Sequence, residues 1–206
     1  TFREKQRIDV HTRHEVVEID PARKRVRVQN LDASLDFWED WDDLLIATGA
    51  SPVEPDVPNA SADGIFSLST LQSGLDVFDD VQRRPPRSAV VVGGGYVGIE
   101  MAEALRERDI PVSLIDMAPQ VMNTLDPDMA EDIATFMQEA GVRLFLGERL
   151  QRFDADASGR VRSVVTDQRT LETDLVILGL GIRPNSALAR EAGIQLGPSG
   201  AIRVDR

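Results

Sequence analysis

The chain has 206 residues, of which 42% are hydrophobic and 28% are charged, and its formal net charge is −12. This length allows one large domain or two small ones, and the acidic balance argues against a nucleic-acid partner, because such proteins take most of their affinity from a basic surface. The sequence has no apolar run near the roughly 18 residues that a membrane span needs, and the absence of cysteine excludes a thiolate nucleophile or a cysteine-based metal site in this chain.

The first fifty residues are predicted to be rich in β-strands. Residues 7–47 carry many β-branched side chains in a partly alternating pattern. Leu44–Ala47 is predicted to be a buried strand that stops at Thr48-Gly49. His11 and His14 lie three residues apart in a strand-like segment, so their side chains are expected on opposite faces and a shared metal ion is not expected.

A loop and then a helix are predicted next. Residues 50–66 contain three prolines and a turn signal, and we interpret them as a loop or linker. Ser69 and Gln72 have the spacing of a capping box, which predicts a helix over residues 69–82. The basic, proline-containing residues that follow end this helix, and we predict a domain boundary between residues 87 and 88. The predicted apolar stripe of the helix consists of Leu71, Leu75 and Phe78.

The most informative stretch runs from residue 88 to residue 116. Four apolar residues, 89–92, predict a buried strand, and Gly93, Gly95 and Gly98 then fit the pattern G-x-G-x-x-G. In this pattern the first glycine permits a tight turn, the second lets the backbone approach a pyrophosphate, and the third lets the next helix pack closely on the sheet. An ordinary glycine-rich turn is the alternative, but the strand before it and the helix after it favour dinucleotide binding.

The second strand of this stretch ends in Asp116, which lies 18 residues after Gly98. A carboxylate at about this spacing accepts hydrogen bonds from a ribose hydroxyl and repels a 2′-phosphate. There is no lysine or arginine between Asp109 and Val142 to neutralise such a phosphate, so NADH is predicted to be preferred over NADPH. The alternative is a solvated residue at the end of a strand.

The rest of the chain continues an α/β pattern. A helix is predicted over residues 127–140, with a strand at 142–146 and a buried strand at 175–178. Residues 149–173 predict two or three short antiparallel strands between them. The turn Gly179-Leu180-Gly181 follows a buried strand, which is where ligands bind in open α/β sheets.

These residues together resemble the middle of a flavin-dependent pyridine nucleotide-disulfide oxidoreductase, and are most similar to the branch of coenzyme A-disulfide reductases and NADH oxidases. Five segments match in the order of the family and cover nearly the whole chain. They are His14–Val16, Leu44–Pro52, Gly93–Glu100, Asp116–Met122 and Gly181–Asn185. The resemblance implies an α/β fold with a Rossmann-like NAD(H)-binding domain, made of a parallel sheet plus an antiparallel β-meander, at residues 88–206. A β-rich partial FAD-binding domain and linker would occupy residues 1–87.

The resemblance also implies which residues contact the cofactors. Ala47, Thr48 and Gly49 would contact FAD, and the backbone near Val16 would meet the flavin adenine. The NADH-binding set would comprise Gly93, Gly94, Gly95, Tyr96, Val97, Gly98, Glu100, Asp116 and Met117, with Gly179 and Gly181 at the nicotinamide end.

Two of these residues carry more specific roles. Tyr96 resembles a catalytic gate that lies between nicotinamide and flavin and shields the flavin face until NADH displaces it; packing at the start of the helix is the alternative. Glu100 would lie close to the nicotinamide, where it could anchor the carboxamide or a local lysine; the alternative is a surface acid favoured by the helix dipole.

Several features of the family are absent from the chain. The first glycine-rich FAD fingerprint and the redox cysteine are missing, the chain starts at Thr1, and it stops at Arg206 before the expected flavin-binding Gly-Asp segment. We therefore interpret it as an internal fragment that is inactive alone. The resemblance implies a cytoplasmic, homodimeric parent enzyme that passes hydride from NADH to FAD and on to a disulfide, persulfide or oxygen acceptor. A ferredoxin- or rubredoxin-type flavin reductase and a non-catalytic nucleotide sensor remain as alternatives.

Overall fold

The structure is a computed structural model that describes residues 5–204. Within these residues the chain forms four helices and thirteen strands. The helices are α1 (Leu71–Arg83), α2 (Tyr96–Arg106), α3 (Pro127–Glu139) and α4 (Ala187–Glu191). The strands are β1 (His14–Asp20), β2 (Arg25–Asn30), β3 (Leu35–Asp40), β4 (Ala50–Pro52), β5 (Ile65–Ser67), β6 (Ala89–Val92), β7 (Val112–Asp116), β8 (Arg143–Leu146), β9 (Leu150–Ala155), β10 (Val161–Thr166), β11 (Thr170–Glu172), β12 (Leu175–Leu178) and β13 (Ile182–Pro184). None of these helices is long and apolar enough to cross a lipid bilayer.

The described residues fall into two compact units. The larger unit comprises residues 52–182, and the smaller unit comprises the residues up to 51 together with those from 183 onward. Both β5 and α1 belong to the larger unit, although they precede the boundary predicted between residues 87 and 88. The predicted boundary divides the chain by cofactor, with FAD bound before it and NAD(H) after it. This assignment of cofactors to the two parts stays a prediction.

The larger unit is built on a parallel sheet of five strands in the order β5-β12-β6-β7-β8. Such a sheet is apolar on both faces and must be covered on both. On one face Val91 packs in a cluster with Ala102 of α2 and Met137 of α3. On the other face Val92 packs with Phe153 of β9, which belongs to an antiparallel sheet in the order β11-β10-β9. The predicted α/β class, with its parallel sheet and β-meander, is confirmed.

The capping of α1 differs from the sequence prediction. The N-cap is Thr70, whose hydroxyl accepts a hydrogen bond from the backbone N–H of Ser73 at 3.1 Å. The Ser73 hydroxyl in turn accepts one from the N–H of Thr70, also at 3.1 Å. The prediction of Ser69 and Gln72 was therefore wrong, because the box lies one residue later: Thr70 is the N-cap and Ser73 takes the third helical position.

The predicted apolar stripe of α1 was also wrong. Leu71 is 83% exposed, and Leu75 and Phe78 are about half exposed. Val77 and Val81 are the buried residues of the helix and pack into the core of the larger unit. The helix carries apolar residues on two sides, and the β-branched pair with a spacing of four faces the sheet.

The smaller unit has a modest core beneath an antiparallel sheet in the order β1-β2-β3. Its buried residues are Ile19, Val26 and Val28. The prediction of a buried strand at Leu44–Ala47 was wrong: these residues have no regular structure, and Leu45 is 89% exposed. A strand needs a neighbour for its backbone groups, and within residues 5–204 no strand pairs with this segment.

The histidine pair also differs from expectation. The rings of His11 and His14 pack edge to face with their centroids 5.4 Å apart. They were expected on opposite faces of one strand, but β1 begins only at His14, so the alternation of side chains does not extend to His11. Within residues 5–204, no three histidine, aspartate or glutamate side chains are grouped to hold a metal ion.

Candidate dinucleotide-binding site

The glycine-rich turn connects β6 to α2 at the carboxyl edge of the parallel sheet. Its first residue, Gly93, has a φ of +107°, a conformation that a side chain disfavours. The Gly93 N–H donates to the carbonyl of Ile115 at 2.8 Å, and the Gly94 carbonyl accepts from the N–H of Met122 at 2.8 Å. These bonds to β7 and to the loop beyond it hold the turn against the next strand of the sheet.

Three glycines of the turn region pack backbone against backbone. A Cβ on Gly98 would lie 1.9 Å from the carbonyl oxygen of Gly93, and a Cβ on Gly93 would lie 2.4 Å from that of Gly179. A Cβ on Gly179 would lie 3.1 Å from the Gly98 Cα. A side chain on Gly93 or Gly98 would therefore clash with main-chain atoms of this backbone, and the turn after β12 lies against the turn after β6.

Gly95 differs from these glycines because the protein does not crowd it. A Cβ built there meets no atom within 4 Å, and its φ of −83° is open to any residue. Gly95 is the N-cap of α2, no side chain caps this helix end, and Tyr96 and Val97 of its first turn are exposed. The unpaired N–H groups and the helix dipole make this end of α2 a site suited to an anion.

Asp116 reaches back to the glycine-rich turn. Its Oδ2 accepts the N–H of Gly94 at 2.6 Å, and its Oδ1 accepts the N–H of Ala118 at 2.8 Å. Each carboxylate oxygen has a second lone pair, and the residue is half-buried at the end of β7. The strand-end carboxylate is thus held in a fixed position beside the turn, with capacity for further hydrogen bonds.

A cleft of about 210 Å³ lies beside Asp116 within the larger unit. Gly93 and Met117 also line it, as the sequence predicted for the cofactor site. Glu148 and Arg149 line the same cleft and were missed. They follow β8 after Gly147, and the carboxyl ends of parallel strands share one edge of the sheet, so this position was the signal that could have identified them.

The remaining predicted residues of this site lie on or near the first turns of α2 and the turn after β12. Tyr96 is 65% exposed and Val97 is 44% exposed, while Glu100 is exposed on α2. Gly181, with a φ of +85°, accepts the N–H of Val53 at 3.0 Å. The structure therefore brings Gly93, Gly94, Gly98, Asp116 and Gly179 into direct contact, and leaves Tyr96, Val97 and Glu100 facing solvent.

The residues predicted to contact FAD lie in the smaller unit. Val16 is 39% exposed, and Ala47, Thr48 and Gly49 are exposed in the irregular segment before β4. Asn185 fixes this segment: its side-chain amide donates to the Thr48 carbonyl at 3.0 Å, and its N–H donates to the Gly49 carbonyl at 3.0 Å. Sequence reasoning included Asn185 in a matching segment but did not assign it this role.

The parallel sheet, the glycine-rich turn at its carboxyl edge and the carboxylate at the end of the next strand define a Rossmann-type α/β protein. The family model described as pyridine nucleotide-disulphide oxidoreductase matches residues 1–206. The chain belongs to this family, which confirms the resemblance inferred from its sequence.

Relatives and solved structures support the same assignment. The NADH oxidase of Methanocaldococcus jannaschii is 31% identical over 197 residues, which cover 95% of this chain and 43% of the relative. A NAD-dependent persulfide reductase from A. fulgidus has a TM-score of 0.91 and 33% identity, over 99% of this chain and 37% of that one. The chain spans less than half the length of both proteins.

An engineered oxidase is a third similar structure. It is a water-forming NADPH oxidase bound to NADPH, derived from an NADH oxidase of Lactobacillus brevis. Its TM-score is 0.83 and its identity 31%, over 93% of this chain and 42% of that one. It carries five substitutions, among them a glycine to alanine and, eighteen residues later, an aspartate to alanine that is followed directly by an alanine to arginine.

Proposed function

We propose that the turn after β6 binds the diphosphate of NADH and that the chain is the NADH-binding part of a flavoprotein oxidoreductase. The observation that carries this proposal is the contrast within the glycine motif. Gly98 is needed for protein packing, whereas a side chain on Gly95 would meet no protein atom. A glycine that the fold does not require, at an uncapped helix N-terminus, is explained by a ligand that approaches its backbone closely.

Asp116 is proposed to bind the adenosine ribose. Its position is fixed by the N–H groups of Gly94 and Ala118, and the free lone pairs of the carboxylate can accept the ribose hydroxyls. The same charge would repel a 2′-phosphate, so NADH should be preferred over NADPH. Support comes from the engineered NADPH oxidase, in which an aspartate was removed eighteen residues after a substituted glycine, the same spacing as that from Gly98 to Asp116.

The nicotinamide end is proposed to lie at Tyr96, Glu100, Gly179 and Gly181. An exposed tyrosine ring at the start of α2 is free to move when a planar ligand arrives, and Glu100 lies one turn further along the same helix. FAD, when bound, would supply the acceptor for the hydride, and the part of this chain is to orient the nicotinamide and exclude water.

The flavin is proposed to contact Val16 and the segment Ala47–Gly49, which Asn185 holds in place. The names of the relatives support oxygen or a persulfide as electron acceptor in the whole enzyme, and a homodimeric enzyme remains part of this proposal.

A titration of the 206-residue chain with NADH, followed by calorimetry, tests the proposal. Gly95→Val should fold normally, because the site is open and φ is ordinary, and should weaken NADH binding more than tenfold, because the side chain would fill the phosphate position. Gly74→Val in α1 is the matched control, since a Cβ there also meets no atom within 4 Å. NADH affinity unchanged in folded Gly95→Val would contradict the proposal.

The cofactor preference has its own test. Asp116→Ala combined with Met117→Arg should shift the preference towards NADPH, because a repulsive charge is replaced by an attractive one beside the ribose. The measurement is the ratio of the dissociation constants for NADPH and NADH. An unchanged ratio would show that Asp116 does not contact the ribose.

A further inference from the structure

The cleft beside Asp116 contains a second charge that the sequence argument for NADH did not consider. Arg149 lines this cleft and lies outside the stretch from Asp109 to Val142 that is free of basic residues. Within residues 5–204, no carboxylate forms an ion pair with its guanidinium, whereas the neighbouring Arg152 is paired with Asp154 at 2.9 Å. The guanidinium of Arg149 is thus an unneutralised cation at the adenosine end of the proposed site.

The backbone that carries Arg149 is well fixed. Its N–H donates to Oδ1 of Asp167 at 3.0 Å, and the preceding N–H, that of Glu148, donates to the Asp116 carbonyl at 2.9 Å. The second bond ties the segment after β8 directly to the strand end that carries the ribose-binding carboxylate. Arg149 and Asp116 therefore keep a constant separation of their backbones.

The carboxylate next to Arg149 does not neutralise it. Glu148 is buried, with Oε1 2.7 Å from Nε of Arg169 and Oε2 accepting the hydroxyl of Thr166 at 2.8 Å. Arg169 itself stacks over the ring of Phe145 at 4.3 Å. The charge of Glu148 is compensated inside the protein, so the ligand meets the carboxylate of Asp116 and the guanidinium of Arg149.

We infer that Arg149 binds the 2′-phosphate of NADPH, so that the site accepts both nicotinamide dinucleotides while favouring NADH. This inference rests on the proposed function, since it assumes that the adenosine ribose lies at Asp116. A guanidinium offers paired N–H donors that match a phosphate, and the attraction offsets part of the repulsion by Asp116. The engineered NADPH oxidase agrees with this chemistry, because arginine was introduced directly after its lost aspartate.

The test compares two arginine variants of the 206-residue chain. Arg149→Met keeps an unbranched aliphatic side chain and removes the guanidinium with its charge. It should raise the ratio of the dissociation constants, NADPH over NADH, roughly fivefold, the effect of losing about 1 kcal/mol from an exposed ion pair, and should change NADH affinity less than twofold. Arg143→Met is the control: Arg143 is exposed at the start of β8, at the opposite end of that strand from the cleft, and carries the same charge.

Several results would separate the explanations. An unchanged ratio in Arg149→Met, whether both affinities fall equally or neither changes, would overturn the role of Arg149 at the 2′ position. A matching loss for adenosine 2′,5′-bisphosphate but not for AMP would support it, as would a smaller effect in 1 M salt. If Gly95→Val leaves NADH affinity unchanged, the proposed function fails first; if that variant loses NADH and the ratio in Arg149→Met does not move, only the inference about Arg149 fails.

Discussion

The two units of the chain differ in how completely they bury their apolar residues. In the larger unit each strand of the parallel sheet has a neighbour and both faces are covered, so that Phe153, Leu114 and Ile177 are fully buried. In the smaller unit the segment 44–47 pairs with no strand within residues 5–204, and Leu45 is 89% exposed. An apolar segment therefore indicates a buried strand reliably only where the chain also supplies a neighbouring strand for it. Mutations can test this contrast between the two units.

The largest effect is expected from Phe153→Ala in the larger unit. The ring is fully buried between the parallel sheet and the antiparallel sheet, and its removal should lower the free energy of unfolding by about 3–5 kcal/mol. Phe37→Ala in the smaller unit is the matched control, because that ring is 40% exposed. Urea unfolding followed by circular dichroism measures both variants, and equal losses would break the contrast between the units.

The second-largest loss of stability is expected from Gly98→Ala, which is compared with Gly95→Ala in the same glycine motif. Gly98→Ala places a Cβ 1.9 Å from the Gly93 carbonyl and should cost about 1–3 kcal/mol of stability or more, because backbone must shift. Gly95→Ala should cost no more than about 1 kcal/mol, because alanine is a poorer N-cap than glycine, and should mainly weaken NADH binding. Thermal unfolding with and without NADH distinguishes them. Equal destabilisation by both alanines would show that the protein, and not a ligand, requires Gly95.

The sequence predictions succeeded where their signals are local in sequence. The succession from β6 through the glycine turn and α2 to Asp116 was predicted correctly, because each of its sequence signals is local and all of them fall within thirty residues of one another. The antiparallel strands between residues 149 and 173 were predicted for the same reason. The membership of β5 in the sheet was missed, because its neighbour β12 follows more than a hundred residues later.

The failures have physical causes in particular residues. Leu44–Ala47 has the composition of a strand but no pairing partner in the described part of the chain, and α1 offers two apolar sides, of which only that of Val77 and Val81 meets the sheet. Glu148 and Arg149 carry no motif, and only the edge of the folded sheet brings them beside Asp116. Local patterns predict elements well, whereas the choice among faces and the composition of a site depend on contacts distant in sequence.

A smaller change in the free energy of unfolding is expected on removal of an ion pair that links distant parts of the larger unit. This change should depend on pH. The Arg87 side chain donates to Asp174, and this hydrogen bond holds the pKa of Asp174 below its ordinary value of 3.8. A carboxyl with a depressed pKa in the folded state stabilises the protein above the unfolded value, and the contribution is lost as pH falls through the folded pKa. Asp174→Asn should therefore cost about 1 kcal/mol at pH 7.

Measuring the free energy of unfolding of both proteins at several pH values provides the control for that prediction. The wild-type protein and Asp174→Asn should converge in free energy of unfolding as pH falls from 4 towards 2, because both then carry a neutral side chain at residue 174. Asp20 in the smaller unit also has a lowered pKa, caused first by the backbone N–H of Arg23, three residues later in sequence. A difference between wild type and Asp174→Asn that is the same at pH 7 and pH 2 would contradict the role of the ion pair.

The smallest effect is expected from Leu45→Ser. Because the side chain is 89% exposed, the substitution should change the free energy of unfolding by less than about 0.5 kcal/mol. Val28→Ala, in the buried cluster of the same unit, should cost more, because it removes packed methyl groups. The two tryptophans, Trp38 and Trp41, both lie in the smaller unit, so their fluorescence follows its unfolding directly. A loss in Leu45→Ser as large as that in Val28→Ala would mean that Leu45 is packed as Leu44 and Ile46 are, and that the smaller unit buries its apolar sequence as fully as the larger one.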